Sequence, residues 1–401
     1  MGRILKEKDV EAAVKGGSVY AAGGGGWADH GRMLGHAAVS IGKPELVSID
    51  ELSDDDWVAT AAAIGAPAST TPWEMRGVDY VKAVELLQEA LGEKVVALMV
   101  GQNGKSSTLN GWLPSAILGT KVLDAVGDVR AHPTGDMGSI GMAGSPEQMI
   151  QTAVGGNRDE NRYIELVVRG ATAKVSPILR TASDMSGGFI ASCRNPLRAS
   201  YVRGNAALGG ISLALTLGEA IIAAEGRGGS AIIDAMVRTT GGSILCEGTI
   251  TDKSVVYTKE AFDIGTVTLG KGDDATVLHI MNEYMAVDSA DGRRRKPRRE
   301  PLYRACRARR DRKSLADPAH RLRHVRRLHR LLPQSAPRFL CPQECGPRRH
   351  LAGADARRGD HCGRSQGRFG DHRRHGQDDR RFDPLRGHDH RQVGGLYQGG
   401  L

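Results

Sequence analysis

The sequence predicts an α/β protein with a mainly parallel sheet, followed by a β-rich second domain that is truncated and a disordered C-terminal tail. Three observations carry this. Over residues 1–240 apolar strand-like runs alternate with amphipathic helical runs, and Gly-rich turns recur where the strand-like runs end. From 241 to 292 the pattern changes to short β segments separated by Gly- and Asp-rich turns. After Gly292 the composition breaks.

Residues 4–16 form an amphipathic helix, with Val10, Ala13 and Val14 on one side. Ser18–Ala22 reads as a strand that runs into Gly23–Gly26, and Trp27 or Asp29 opens a helix through Ala38. Glu45–Ile49 and Trp57–Ile64 are strands, the second ending at Gly65-Ala66-Pro67. Val78–Leu91 is a helix, because Val81, Val84, Leu87 and Leu91 recur every three to four residues. Lys94–Val100 is an apolar strand that enters Gly101–Gly104, followed by a helix over about 106–118 and a short strand, Lys121–Leu123, ending at Asp124. Residues 125–160 are Gly-rich with little periodicity, Arg162–Arg169 is a strand, and Asn205–Glu225 is an apolar helix. The β-rich part holds strands over Ser243–Glu247, Ser254–Thr258, Ile264–Leu269 and Ala275–Met281.

The net charge of +9 hides two different materials. Residues 293–401 hold 30 Lys and Arg against 11 Asp and Glu, whereas residues 1–292 hold 25 against 35. The tail has no Ile, Met, Thr, Asn or Trp, and its only β-branched residues are Val325 and Val393, too few to fill strands. It reads as a shifted reading frame of a GC-rich gene. Two other readings stay open. One is a basic arm for nucleic acid; the other is a zinc site on Cys341, Cys345, His350, His361 and Cys362. No apolar run is long enough to cross a membrane, and no secretory leader opens the chain, so the expected location is cytoplasmic. A homo-oligomer is possible.

Several residues carry candidate chemistry. Gly23, Gly24, Gly25 and Gly26 at a strand end would let backbone amides approach a ligand, or simply allow a tight connection. They match no dinucleotide fingerprint, and Gly104-Lys105-Ser106 lacks the earlier glycine of a phosphate loop. Asp124, Asp128, His132 and Asp136 recur every four residues; carboxylates with an imidazole can move protons or hold a divalent metal, or cap loops. Asn103 could donate to an oxyanion or cap the next helix. Cys193, in a loop beside Arg194, is a candidate nucleophile, while Cys246 reads as core. Asp184 and Ser186 suggest a serine triad only weakly, since no histidine is placed with them.

Several stretches recur together and in order. They are Gly2-Arg3-Ile4-Leu5, Ala22–Gly26, Ile64–Pro67, Val122–Ala125, Arg130-Ala131-His132-Pro133, Asn205–Gly210, Phe262–Gly265 and Asn282-Glu283-Tyr284. Over about residues 1–292 the chain resembles the S-methyl thiohydantoin desulfurase family, a former domain-of-unknown-function family labelled hydantoinase-like. The resemblance implies an α/β domain followed by a β-rich domain. The implied activity is hydrolysis of the C–S bond of an S-methylated thiohydantoin, releasing methanethiol and a hydantoin. Asp124, Asp128, His132 or Asp136 would then serve proton transfer or a metal, and Gly23–Gly26, Gln102, Asn103 and Arg130 would hold the cyclic amide. After Gly292 the chain departs from the family. The alternative function is a non-catalytic binding or regulatory protein with a nucleic-acid-binding tail.

Overall fold

The structure, a computed structural model, describes residues 2–65, 74–133, 137–257, 263–270, 272, 275–289, 294–295 and 397–398. Ala66, Pro67, Asp136, Phe262 and nearly all of the tail, with its proposed zinc ligands, lie outside the described residues.

The chain opens with β1 (Arg3–Ile4) and α1 (Glu7–Tyr20). Asp9 starts the helix by accepting from the backbone N–H of Lys6 at 2.8 Å, which satisfies a donor left open at the helix N-terminus. The expected strand at 18–22 is not there: α1 continues to Tyr20. Gly16 and Gly17 look like a helix stop in sequence, but they are packing positions. A Cβ on Gly16 would sit 1.8 Å from the Ala214 carbonyl oxygen, and one on Gly218 would sit 1.8 Å from that of Ala12. Two helices therefore meet backbone to backbone here. Gly16→Ala is expected to cost at least ~3 kcal/mol, the upper end for overpacking, because only backbone could move aside. Thermal unfolding against Gly226→Ala, whose Cβ meets nothing within 4 Å, checks this.

α2 (Ala28–Ile41) and β2 (Glu45–Val47) follow, then β3 (Trp57–Gly65), α3 (Gly77–Leu91) and β4 (Ala97–Gln102). The expected 106–118 helix is a single 3-10 turn over Ser107–Leu109 and then α4 (Trp112–Leu118). β5 (Lys121–Asp128) runs past Asp124, so that residue lies within the strand and Asp128 at its end. The Gly-rich stretch contains an unforeseen strand, β6 (Met149–Gly155), which pairs with β7 (Ile164–Gly170).

α5 (Thr172–Met185) leads to β8 (Phe189–Arg198). The expected loop at 192–197 is thus a strand, inserted between β3 and β6 and buried along nearly its whole length. Pro196 argues against a central strand in sequence. The sheet accommodates it with a bulge: Leu197 pairs with Val58 and Arg194 with Thr60, so Asn195 and Pro196 together face Ala59. α6 (Ala199–Asn205), β9 (Ala207–Leu208), α7 (Gly210–Glu225), α8 (Gly229–Thr240) and the two-residue β10 (Ser243–Ile244) complete this part.

The large sheet has the order β1-β2-β5-β4-β3-β8-β6-β7. The run β2-β5-β4-β3 is parallel, and β8, β6 and β7 extend it antiparallel. One face packs Ala59, Ala61, Leu98 and Val126 under α1, α2, α3 and α7. The other packs Val58, Met99 and Leu123 toward α6, and Ile64 and Ala153 under α5. Burial on both faces explains why these strands read as continuous apolar runs. A second, antiparallel sheet is a meander of β11 (Ile250–Tyr257), β12 (Asp263–Leu269), β13 (Thr276–Met281) and β14 (Glu283–Asp288). Its small core is Val267, Leu269 and Leu278.

Candidate functional site

The carboxyl ends of parallel strands are where backbone groups and loops are free to face a ligand. In this fold a cavity of about 290 Å³ lies there. The ends of β3 (Ile64, Gly65) and β4 (Gly101, Gln102) form its floor, with Gly25 and Gly26 on one side. Ser176, Pro177 and Arg180 of α5 and Arg194 and Asn195 of β8 line the other side. The β13–β14 turn, Met281-Asn282-Glu283, closes it from the second sheet.

Glu283 is the unusual group. It is 2% exposed, and its Oε2 has no hydrogen-bond partner among the described residues. Burial pushes its carboxyl up to about 7, against the opposing pull of the Arg130 guanidinium, an Asn282 hydrogen bond and Arg180. The turn that delivers it is tightly fixed. Asn282 adopts φ 63°, the left-handed region a tight turn requires. The Tyr284 N–H donates to the Ala22 carbonyl at 2.8 Å, and Arg130 Nη2 donates to the Tyr284 carbonyl at 2.6 Å. Gly24 makes room for the carboxylate: a Cβ there would lie 1.9 Å from Glu283 Oε1.

The residues expected from sequence separate into two sets. Gly25, Gly26, Gln102 and His132 all line the cavity, and Gln102 Oε1 accepts from the His132 N–H at 2.9 Å. Gly23 and Gly24 pack against Asn282 and Glu283 instead, and the loop links two helices rather than a strand and a helix. Arg130 holds the Tyr284 carbonyl.

The others serve the fold. Asp124 accepts from the N–H groups of Ile211 and Ser212 at 2.9 Å and from the Ser212 hydroxyl at 2.6 Å. It caps α7, where a carboxylate meets the positive end of the helix dipole. Asp128 is absent from the cavity lining; burial raises its carboxyl, and the Arg130 N–H reaches it at 3.4 Å. Asn103 turns its carboxamide inward, donating to the Gly210 carbonyl at 3.0 Å and accepting from Thr108 at 3.2 Å; it is fully buried and is not part of the cavity lining.

Cys193 is fully buried within β8, and burial pushes its thiol up to about 12. A nucleophilic thiol needs the opposite shift. Ser186 donates to the Ala182 carbonyl at 2.7 Å as part of the α5 C-terminus. Among the described residues no three His, Cys, Asp or Glu side chains gather as metal ligands, and Asp124, Asp128 and His132 do not form a cage.

Behind the cavity wall, burial lowers the His30 imidazole to about 4, and its Nε2 lies 3.2 Å from the Tyr80 hydroxyl. Asn110 lines the cavity with a fully engaged carboxamide. Its NH2 donates to Tyr80 at 3.2 Å and to the Ser106 carbonyl at 3.0 Å, and its oxygen accepts from Ala63 N–H at 3.3 Å.

These features define a two-sheet α/β protein whose cleft is sized for a small molecule and closed by a carboxyl from the second sheet. Residues 8–164 match the S-Me-THD-like N-terminal domain and residues 171–295 the S-Me-THD-like C-terminal domain. The chain belongs to the S-Me-THD-like family. The two matched regions are separated by residues 165–170, which make up most of β7, yet β8 from the second pairs with β3 and β6 from the first. A crystal structure of a protein from Chromobacterium violaceum shares the fold, at TM-score 0.54 and 24% identity over 71% of this chain and 77% of that one. No curated protein matches the chain. No helix of the described residues is long and apolar enough to cross a membrane.

Proposed function

We propose that the protein is a hydrolase acting on an S-methylated thiohydantoin bound in the cleft, cleaving the C–S bond to give methanethiol and the hydantoin. The observation that carries this is Glu283: a buried carboxyl with its titration near neutrality, on the wall of a small, mainly apolar cavity, in a chain of this family. A carboxyl near 7 can both take and return a proton at physiological pH. As carboxylate it takes a proton from water while the oxygen adds to the ring carbon that bears sulfur. As the tetrahedral adduct collapses and the C–S bond breaks, the same carboxyl returns that proton to the departing sulfur. Water's second proton ends on the ring nitrogen, so methanethiol and hydantoin account for every atom. Gln102 and the Gly25–Gly26 backbone hold the ring.

The test is incubation of the full chain with an S-methyl thiohydantoin while following free thiol and hydantoin. Equimolar release of both is expected. Absence of thiol release would overturn the reading, and ring opening without thiol release would make the protein a cyclic amidase instead.

Arg130 adjusts the same carboxyl. A positive neighbour favours the ionised form, so Arg130→Met is expected to move the acid limb of the pH–rate profile upward by about one pH unit. Arg130→Lys, which keeps the charge, should return the midpoint toward 7.

A further inference from the structure

Four carboxamides line the cavity: Gln102, Asn110, Asn195 and Asn282. Asn110 is fully engaged by the protein, Asn282 Nδ2 donates to Glu283 Oε1 at 3.3 Å, and the Gln102 oxygen accepts from the His132 N–H. Asn195 is buried, 3% exposed. Its Oδ1 accepts from Gln151 Nε2 at 2.9 Å and from the Thr172 hydroxyl at 3.3 Å, and its Nδ2 has no partner among the described residues.

This orientation is dictated by chemistry. A guanidinium only donates, and Arg194 Nε lies 3.1 Å from Gln151 Oε1, so the oxygen end of Gln151 must face the arginine. The NH2 end of Gln151 then faces Asn195, which must answer with its oxygen. The only group Asn195 has left is an NH2. The backbone supports the same conclusion. Asn195 adopts φ 50° within the β8 bulge, a conformation that costs energy in a strand and recurs where a protein aims a side chain at a ligand.

We infer that Asn195 Nδ2 is a donor the site presents to its ligand, taking the ring carbonyl oxygen that gains negative charge as water adds. The inference rests on the thiohydantoin reading. Addition at the sulfur-bearing carbon moves the C=N electron pair onto the ring nitrogen and, by conjugation, onto the neighbouring carbonyl oxygen. A donor held in place before reaction stabilises that charge without reorganising. Asn195 is thus assigned as a catalytic residue, and Gln151, which does not touch the cavity, as the positioning residue behind it.

Two variants test this in the full chain. Asn195→Asp replaces the donor with an acceptor of the same shape. Asn195→Gly removes the side chain at a positive φ that glycine adopts freely, so it folds even if the first does not. Each is expected to lower kcat about 100-fold, with KM changed less than threefold and, for the uncharged Asn195→Gly, the pH midpoint near 7 unmoved. Gln151→Met should lower kcat about tenfold by letting the Asn195 amide rotate, again with KM preserved; a merely structural role would lower Tm without this split.

Variants that keep kcat within threefold of the parent would overturn the assignment and leave the hydrolase reading standing. If the parent releases no thiol, that reading falls, and titration with hydantoin decides the donor separately. Tenfold weaker binding by Asn195→Gly than by the parent sustains it. Equal binding, or none by the parent, overturns it.

Discussion

Glu283→Gln is expected to abolish thiol release, lowering kcat at least about 1,000-fold, the combined loss of proton transfer in both steps. The same change is expected to stabilise the fold above neutral pH. The Glu283 carboxyl has an ordinary value near 4.5 and is raised to about 7 in the folded protein. Below about 4.5 the group is protonated in both folded and unfolded chains and has no differential effect. Between 4.5 and 7 the unfolded chain ionises first, so stability falls as pH rises; above about 7 the full penalty is present, on the order of 3 kcal/mol. Glutamine never ionises and escapes it. Melting curves should therefore separate by several degrees at pH 8, with Glu283→Gln the higher, and converge at pH 4.5. In the parent, kcat/KM should climb tenfold per pH unit below about 7 and level off above, because the working form is the carboxylate. A variant both inactive and more stable at pH 8 is the signature of a group kept buried for chemistry; inactivity with lower stability would make Glu283 a packing residue.

The parallel half of the fold was legible because its strands are buried on both faces and its helices carry regular apolar spacing. Gln102, expected from the end of a strand, and His132, expected from the spacing of Asp124, Asp128 and Asp136, both line the cavity. The misreadings have one common cause, in that a local signal was serving a distant partner. Gly16 and Gly17 resemble a helix stop until α7 is placed against the first and the Gly104 backbone against the second. Pro196 resembles a loop until the bulge opposite Ala59 absorbs it. The regular spacing of Asp124, Asp128 and His132 resembled a constellation, but Asp124 answers to α7, far along the chain. Glu283 stood in a stretch already noted, Asn282-Glu283-Tyr284, yet nothing local marks it as buried. Its environment is made by Gly24 and Arg130, which only the tertiary fold brings together. A turn ending in a lone carboxylate, in a domain otherwise tied to strand pairing, was the available signal.

Gly24→Ala is expected to damage activity and leave the fold intact, and the contrast with its neighbours is the reason. Gly23, Gly25 and Gly26 adopt φ of 103°, 74° and 80°, so alanine at any of them strains the backbone. Gly24 has no positive φ and tolerates a side chain in its own conformation. What a Cβ meets there is the Glu283 carboxylate, with Oε1 at 1.9 Å and Cδ at 2.7 Å. The far end of a glutamate side chain yields easily where backbone would not, so the carboxylate swings aside and the loop stays. Displacement of a proton-transfer group by about 1 Å costs roughly 100-fold in rate. The expected outcome is kcat lowered about 100-fold, Tm within about 2 °C of the parent, and a shifted acid limb because the carboxyl leaves its buried seat. Gly26→Ala provides the control for loop damage: strained at φ 80° and meeting Ser106 Oγ at 2.0 Å rather than Glu283, it should lower Tm measurably. Unchanged kcat in Gly24→Ala would mean that the carboxylate works equally well from another position, and that Gly24 is small for the loop's sake alone.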